Sequence, residues 1–217
     1  MGTLTLESIP SKIGNCNNLS TLDISGNAIQ GSLPTSIIRF PLFVLSFSSN
    51  IHMGSILEDI VNLIQLSTLK IHINMFALNI HKAITNLNKI ESLSLGSNNL
   101  KGIIPKATGN LQSLQSMDLN SNNLSRCVPQ SIRQFKAISY LDLHNNNISK
   151  STLDSIGGLV SLWNLDLSNN SLEEPIEGND NYTFVVTFSS YSNKLFGTLF
   201  ATLATYTNIH LLDISTN

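Results

Sequence analysis

The chain carries little charge. Asp, Glu, Lys and Arg make up 12% of its 217 residues and the net charge is -2, about half the usual charged share. The basic residues are scattered, so there is no patch for a nucleic-acid backbone to find. Long apolar runs are also missing, and none approaches the roughly 18 residues that a membrane span needs. The opening Met-Gly-Thr-Leu-Thr-Leu has neither a basic n-region nor an apolar h-region, so no signal peptide is read there. Leu6 stands where N-myristoylation would want Ser or Thr. On these grounds the chain would be intracellular if it is complete. Catalytic signatures are absent: no G-x-S-x-G, no phosphate loop, no H-E-x-x-H and no dinucleotide fingerprint. Neither an enzyme nor a cofactor is expected.

What is present is a repeat. The stretch Ile90–Pro105, IESLSLGSNNLKGIIP, places Leu93, Leu95, Asn98 and Leu100 in an L-x-L-x-x-N-x-L core. That core is too short to bury a face alone and makes sense only if copies stack on it. The copies align on Asn27, Asn50, Asn74, Asn98, Asn122, Asn146, Asn170, Asn193 and Asn217. Their spacing is 24 residues, except for 23 before Asn50 and before Asn193. Eight positions before each Asn the residue is always aliphatic, from Leu19 to Ile209. We number the coils one to nine by these asparagines. The repeat runs through residues 1–217, so a single domain is expected. Neither end shows the polar cap that closes a solenoid, and the chain reads as a segment of a longer one.

Each coil divides into a short strand, an Asn turn and a return limb. Alternate strand aliphatics point inward, and the residues between them line an open face. The buried Asn is explained by a side-chain amide that can bond backbone of its own and the neighbouring turn, as a ladder. Return limbs such as Thr35–Ile38, Ile84–Leu87 and Ser131–Phe135 read as short helical or 3₁₀ turns. Cys16 and Cys127 lie four coils apart, roughly 19 Å at 4.8 Å per strand, beyond the roughly 7 Å reach of a disulfide. They are expected not to pair and to behave as small buried hydrophobes.

After the Asn, some coils add x-x-G-x-I/L-P. Gly31-Ser-Leu-Pro34 and Gly102-Ile-Ile-Pro105 are complete, whereas Val128-Pro129 and Gly54-Ser-Ile56 are partial. With this signature the chain resembles plant-type leucine-rich repeats, as in ectodomains of plant receptor kinases and receptor-like proteins and in polygalacturonase inhibitors. The resemblance implies an α/β solenoid, a right-handed superhelix of about nine coils of ~24 residues. Short parallel strands would form its concave face and 3₁₀ or short helical turns its convex side. It further implies an extracellular or cell-surface setting, a protein or peptide ligand on the concave face, and a possible co-receptor. Departures from the pattern are Leu78, Arg126, Lys150 and Glu174 in place of Gly, His52 in place of the Leu that plugs the core, and Ser190 at an inward strand position. The acidic limb Glu173–Asp180 makes the coil between Asn170 and Asn193 the one expected to be distorted. The family's paired-cysteine N-terminal cap is missing.

The open face reads in columns. Four before the Asn, Asp118, Asp142 and Asp166 succeed one another. They serve either as a dock for a basic peptide group or merely as the family's common L-D-L strand. Tyr140, Trp163 and Tyr191, with His144, fall on neighbouring coils and are the aromatic anchors expected of a binding surface. Lys70 and His72 form a second candidate patch. His72 and His144 share a column but lie about 14 Å apart, too far to share an ion. His52, His81 and His210 occupy other limbs, so no metal site is expected. N-x-[ST] sequons at Asn18, Asn123, Asn147, Asn169 and Asn181 are possible glycosylation sites. The expected function is non-enzymatic recognition of a protein or peptide. Ice or polysaccharide binding is the alternative, although Val44, Lys70, Tyr140 and Leu211 interrupt the flat array it needs. A structural subunit of a larger assembly is a third possibility.

Overall fold

The computed structural model describes residues 8–31, 34–54, 60, 62–149, 153–173, 185–197 and 208–217. Nine three-residue strands form one parallel sheet in chain order: Thr21–Asp23, Val44–Ser46, Thr68–Lys70, Ser92–Ser94, Ser116–Asp118, Tyr140–Asp142, Asn164–Asp166, Thr187–Ser189 and Leu211–Asp213. Each strand keeps the register of the repeat, so Leu69 faces Leu45 and Leu93, and Leu141 faces Met117 and Leu165. These inward leucines are at most 1% exposed. Each contributes roughly 1.5–3 kcal/mol of burial, which the neighbouring coils make possible. The stacked coils form a leucine-rich repeat solenoid with one continuous core.

The ladder expected of the asparagines is present. Asn122 Nδ2 donates to Leu119 O and Asn120 O of its own coil and to Leu95 O of the coil before. Its Oδ1 accepts the backbone N–H of Leu100, also in the coil before. Asn50, Asn74, Asn98, Asn146, Asn170 and Asn193 repeat this pattern. Just ahead of each Asn, one residue takes the left-handed conformation: Gly26, Ser49, Ile73, Ser97, Ser121, Asn145, Asn169, Ser192 and Thr216. Small and polar residues tolerate it. Ile73, at φ 55°, does so against its branched Cβ.

A second parallel sheet, not foreseen from the repeat pattern, joins Met53–Gly54, Met75–Asn79, Asn99–Gly102, Asn123–Arg126 and Asn147–Ile148. Leaving the Asn turn, the chain stays extended and buries Leu100 and Leu124. It then bends at a left-handed residue: Gly31, Gly54, Leu78, Gly102, Arg126 or Gly197. The signature glycine is thus a positive-φ position. Leu78 and Arg126 hold the same bend at φ 73° and 67°, at about 1–2 kcal/mol each. Lys150 and Glu174 lie outside the described residues, as does the acidic limb beyond Glu173. The strand Thr187–Ser189 that follows this limb keeps its register with Asn164–Asp166.

Return limbs are 3₁₀ turns at Ser11–Asn15, Thr35–Arg39, Lys82–Asn86, Lys106–Asn110 and Gln130–Gln134, with one α-turn at Leu153–Ile156. Pro10, Pro34, Pro105 and Pro129 precede four of them, with φ between -69° and -61°. His81 replaces proline before the third, and its Nδ1 accepts from Ala83 N. At Gly109 the turns approach so closely that a Cβ would stand 2.2 Å from Ser131 O.

Two interior departures are confirmed as buried polar groups. His52, 1% exposed, gives one ring nitrogen to Gly31 O and lies between Phe47 and Phe76. Its Nε2 and the hydroxyl of Ser190 have no hydrogen-bond partner. The cysteines correct an expectation: both are free, and both are exposed rather than buried. Cys16 caps a 3₁₀ turn and Cys127 follows the left-handed Arg126, so each sits on a bend that faces outward.

These positions generate stability changes of both signs, readable from urea midpoints. Ile73→Asn, which brings in the residue type found at Asn145 and Asn169, is expected to stabilise by about 1 kcal/mol. Gly109→Ala should destabilise by about 2–3 kcal/mol through the clash with Ser131 O. A midpoint for Gly109→Ala within error of the parent would refute the close approach. His52→Leu removes an unpartnered buried nitrogen and is expected to raise stability by about 1 kcal/mol; a loss instead would show that the bond to Gly31 O outweighs it.

Candidate functional site

The strand sheet positions the candidate side chains by alternation: inward Leu141 lies between outward Tyr140 and Asp142, and inward Leu165 between outward Asn164 and Asp166. Asp118, Asp142 and Asp166 are register partners on three adjacent strands. Each accepts the backbone N–H two residues on, from Asn120, His144 and Ser168. Asp23 and Asp213 do the same with Ser25 and Ser215. This turn accounts for Asp in the column on structural grounds alone. Asp23 and Asp213 are held below the usual carboxylate range by hydrogen bonds from Ser25 and Ser215, respectively.

The middle coils differ because their carboxylates are partly or wholly shielded. Burial, aided by the nearby charge of Asp142, pushes the Asp118 carboxyl up, against opposing hydrogen bonds from Asn120 and Ser94. Asp142 is 6% exposed. It receives the Tyr140 hydroxyl at 3.2 Å, His144 Nδ1 at 2.8 Å and Asn120 Nδ2 at 3.3 Å. Burial and the surrounding carboxylates, Asp142 foremost, raise the Tyr140 phenol, so it stays a donor at neutral pH. Ser168 donates its hydroxyl to Asp166 at 2.6 Å.

Polar contacts run across the face from coil to coil. Ser48 Oγ meets His72 Nδ1 at 2.9 Å, and the same nitrogen meets Ser94 Oγ at 3.2 Å. Ser94 donates to Asp118 at 3.0 Å, and Asn120 bridges Asp118 and Asp142 at 2.7 and 3.3 Å. A carboxylate only accepts, so Ser94 gives its proton to Asp118, and His72 must then donate from Nδ1. By the same accounting His144 donates from Nδ1 to Asp142. The donors of the face thus point into the network, toward the carboxylates. Among the described residues no Lys or Arg forms an ion pair with Asp118, Asp142 or Asp166.

The structure thus brings together Asp118, Tyr140, Asp142 and His144, with His72 joined through Ser94. Asp142, His144 and Asp166 each bring one acceptor atom within 4.8 Å of the others, a grouping that pairing histidines along one column does not reveal. Trp163 stands apart, 55% exposed on the rim before its strand. The half-buried Tyr191 turns its hydroxyl to Asn169 at 3.1 Å. No stacking joins Tyr140, Trp163 and Tyr191 among the described residues, so they are separate points rather than one aromatic patch. Lys70 is exposed. Two contributors were passed over in the columns. One is Asn120, the bridge; the other is Gly96, where a Cβ would lie 2.7 Å from the Asp118 carboxylate and 2.9 Å from Asn120 Oδ1. Among the sequons, Asn18, Asn123 and Asn147 are exposed and Asn169 is half-buried, while Asn181 lies outside the described residues.

With the coils and this face described, comparison with known proteins identifies the class. The leucine rich repeat family matches residues 116–172, and further leucine rich repeats match residues 18–40 and 89–111. The chain carries leucine-rich repeats over these spans, and its solenoid resembles the ectodomain repeats of plant receptor kinases. The Arabidopsis thaliana receptor kinase GASSHO1/SCHENGEN3, solved with CASPARIAN STRIP INTEGRITY FACTOR 2, superposes with a TM-score of 0.93 at 28% identity, over 97% of this chain and 26% of its own. The Arabidopsis receptor kinase HAESA, solved with the peptide hormone IDA and the co-receptor SERK1, gives 0.89 at 29% identity, over 95% and 35%. The chain therefore spans about a third or less of these receptor chains. A plant ice-binding protein matches at a TM-score of 0.71 and 23% identity, over 88% and 69%, and shares the fold. No curated protein matches. No helix among the described residues is long and apolar enough to cross a membrane.

The raised Asp118 carboxyl has a signed consequence. Folding favours its protonated form, so its cost to the fold is absent below the ordinary carboxylate range and grows as pH rises through the raised value. Asp118→Asn is accordingly expected to be more stable than the parent at neutral pH, and to lose that advantage at roughly pH 3. Urea midpoints at the two pH values decide this, and a constant difference would refute it.

Proposed function

We propose that this chain is a non-enzymatic recognition module that binds a peptide or protein along its concave face, with a basic side chain of the ligand over Asp118, Asp142 and Asp166. The observation that carries this reading is the row of three adjacent carboxylates. Their hydrogen-bond donors come from the same face, and no Lys or Arg among the described residues pairs with them. Three like charges at strand spacing repel one another, and a guanidinium or ammonium would relieve that repulsion while using acceptors already oriented. Tyr140 and the exposed Trp163 flank the row as amphipathic anchors. The similar HAESA was solved with the peptide hormone IDA and the co-receptor SERK1, which supports this reading. The same likeness supports an extracellular or cell-surface setting and a co-receptor partner as parts of this reading. The exposed sequons Asn18, Asn123 and Asn147 would then be available for glycans.

The test is selection of binders from a displayed random peptide library, followed by affinity measurement on purified variants. Enriched peptides should carry Arg or Lys, and Tyr140→Ala and Trp163→Ala should each weaken them about fivefold or more, on the order of 1 kcal/mol. No enrichment, or unchanged affinity in both variants, would place recognition elsewhere. Enrichment of acidic peptides would invert the reading.

A further inference from the structure

Resting on the concave-face reading above, we infer that this face is charge-ordered and so fixes how a peptide lies on it, with an acidic group of the ligand over the third coil and a basic group over the sixth and seventh. The third coil supplies Lys70, exposed and in no ion pair among the described residues. It is the one Lys or Arg in the face columns two, four and six positions before each Asn. Its register partners Ser46 and Ser94 are neutral, so its charge is not cancelled by an adjacent strand. The fourth coil presents Ser92, Ser94 and Gly96. These are small residues that neither obstruct a ligand nor add charge. The fifth, sixth and seventh coils then present Asp118, Asp142 and Asp166 in succession. From the third coil to the seventh, positive, neutral and negative rows therefore follow in order. On the other side of Lys70, the carboxylate of Asp23 lies two strands away and feels its charge.

Spacing makes the order selective. Three strand steps of about 4.8 Å separate the Lys70 row from the Asp142 row by about 14 Å. Charges at that distance are screened from each other at physiological salt, where the Debye length is about 8 Å. Each end therefore reads its own group on the ligand, and one ionic side chain cannot serve both. An extended peptide rises about 3.3 Å per residue, so the matching ligand carries an acidic and a basic residue about four positions apart. A peptide with either charge alone engages half the face.

The experiment uses the full chain and a blocked, fluorescent Gly/Ser peptide of about twelve residues carrying one Glu and one Arg about four positions apart. Companion peptides replace Glu by Gln, Arg by citrulline, or place the two charges side by side. Anisotropy titrations at about 0.15 M ionic strength, where the two rows are screened from each other, are run on the parent, Lys70→Ala and Asp166→Asn, with thermal melts to confirm folding. Expected is a gain from Glu of about threefold that vanishes in Lys70→Ala, and a gain from Arg that vanishes in Asp166→Asn. Adjacent charges should lose one of the two gains. If the Glu gain persists in Lys70→Ala, or Glu contributes nothing, while Arg still couples to Asp166, the charge order is overturned and peptide binding at the acidic row stands. If neither charge couples to its coil, both readings fall together.

Discussion

The structure depends on what one side-chain amide does in each coil. A coil of about 24 residues has too little apolar surface to fold alone, and its tight bend leaves backbone donors and acceptors turned inward with no water to meet them. Asn122 answers both difficulties at once. Its Nδ2 takes two carbonyls of its own bend and one from the coil before, and its Oδ1 takes a backbone N–H from that same earlier coil. An apolar residue would fill the space and leave four backbone groups to be satisfied elsewhere. A longer amide would not reach the same four. The leucine column supplies most of the burial energy, but the asparagine column fixes where each bend falls and therefore the register of every strand.

That register turns a sequence column into a surface row. Because each Asp four residues before the Asn faces its counterparts one strand away, a local turn preference becomes a line of charge across neighbouring coils. In the first coil such a carboxylate is exposed and in the ninth half-buried, and each is held low by its own serine. In the fifth, the same residue type is shielded, with its carboxyl pushed up by burial and by Asp142. What separates the middle aspartates from the outer ones is their neighbours on adjacent strands, not their role in the turn.

Most of the architecture was legible in the sequence, because it follows from a periodic pattern of burial that side-chain type reports directly. The nine strands, the Asn ladder, the 3₁₀ return limbs and the buried His52 and Ser190 all belong to this kind. The second sheet was not legible, since its strands differ in length and its outward residues, from Met53 to Asn147, share no chemistry. Cys16 and Cys127 were misplaced because thiol chemistry says little about which way a bend faces. At the candidate face, the columns named the residues that line it but not the contacts between them. Asn120 and Gly96 looked bland in a list of side chains, and only the tilt of Asp118 toward both shows that one holds it and the other makes room. The reverse held for Tyr140, Trp163 and Tyr191, whose closeness in sequence suggested a patch that the geometry resolves into separate points.

The ladder also has a direction. Each asparagine reaches back to the coil that preceded it, so the open groups of any coil are closed by the coil made next. On a ribosome the newest turn of the stack is then always the unfinished one, while everything behind it is already sealed. Growth of the solenoid from the N-terminal side leaves a single advancing edge of unpaired backbone. The protein can consolidate at the pace at which it is synthesised.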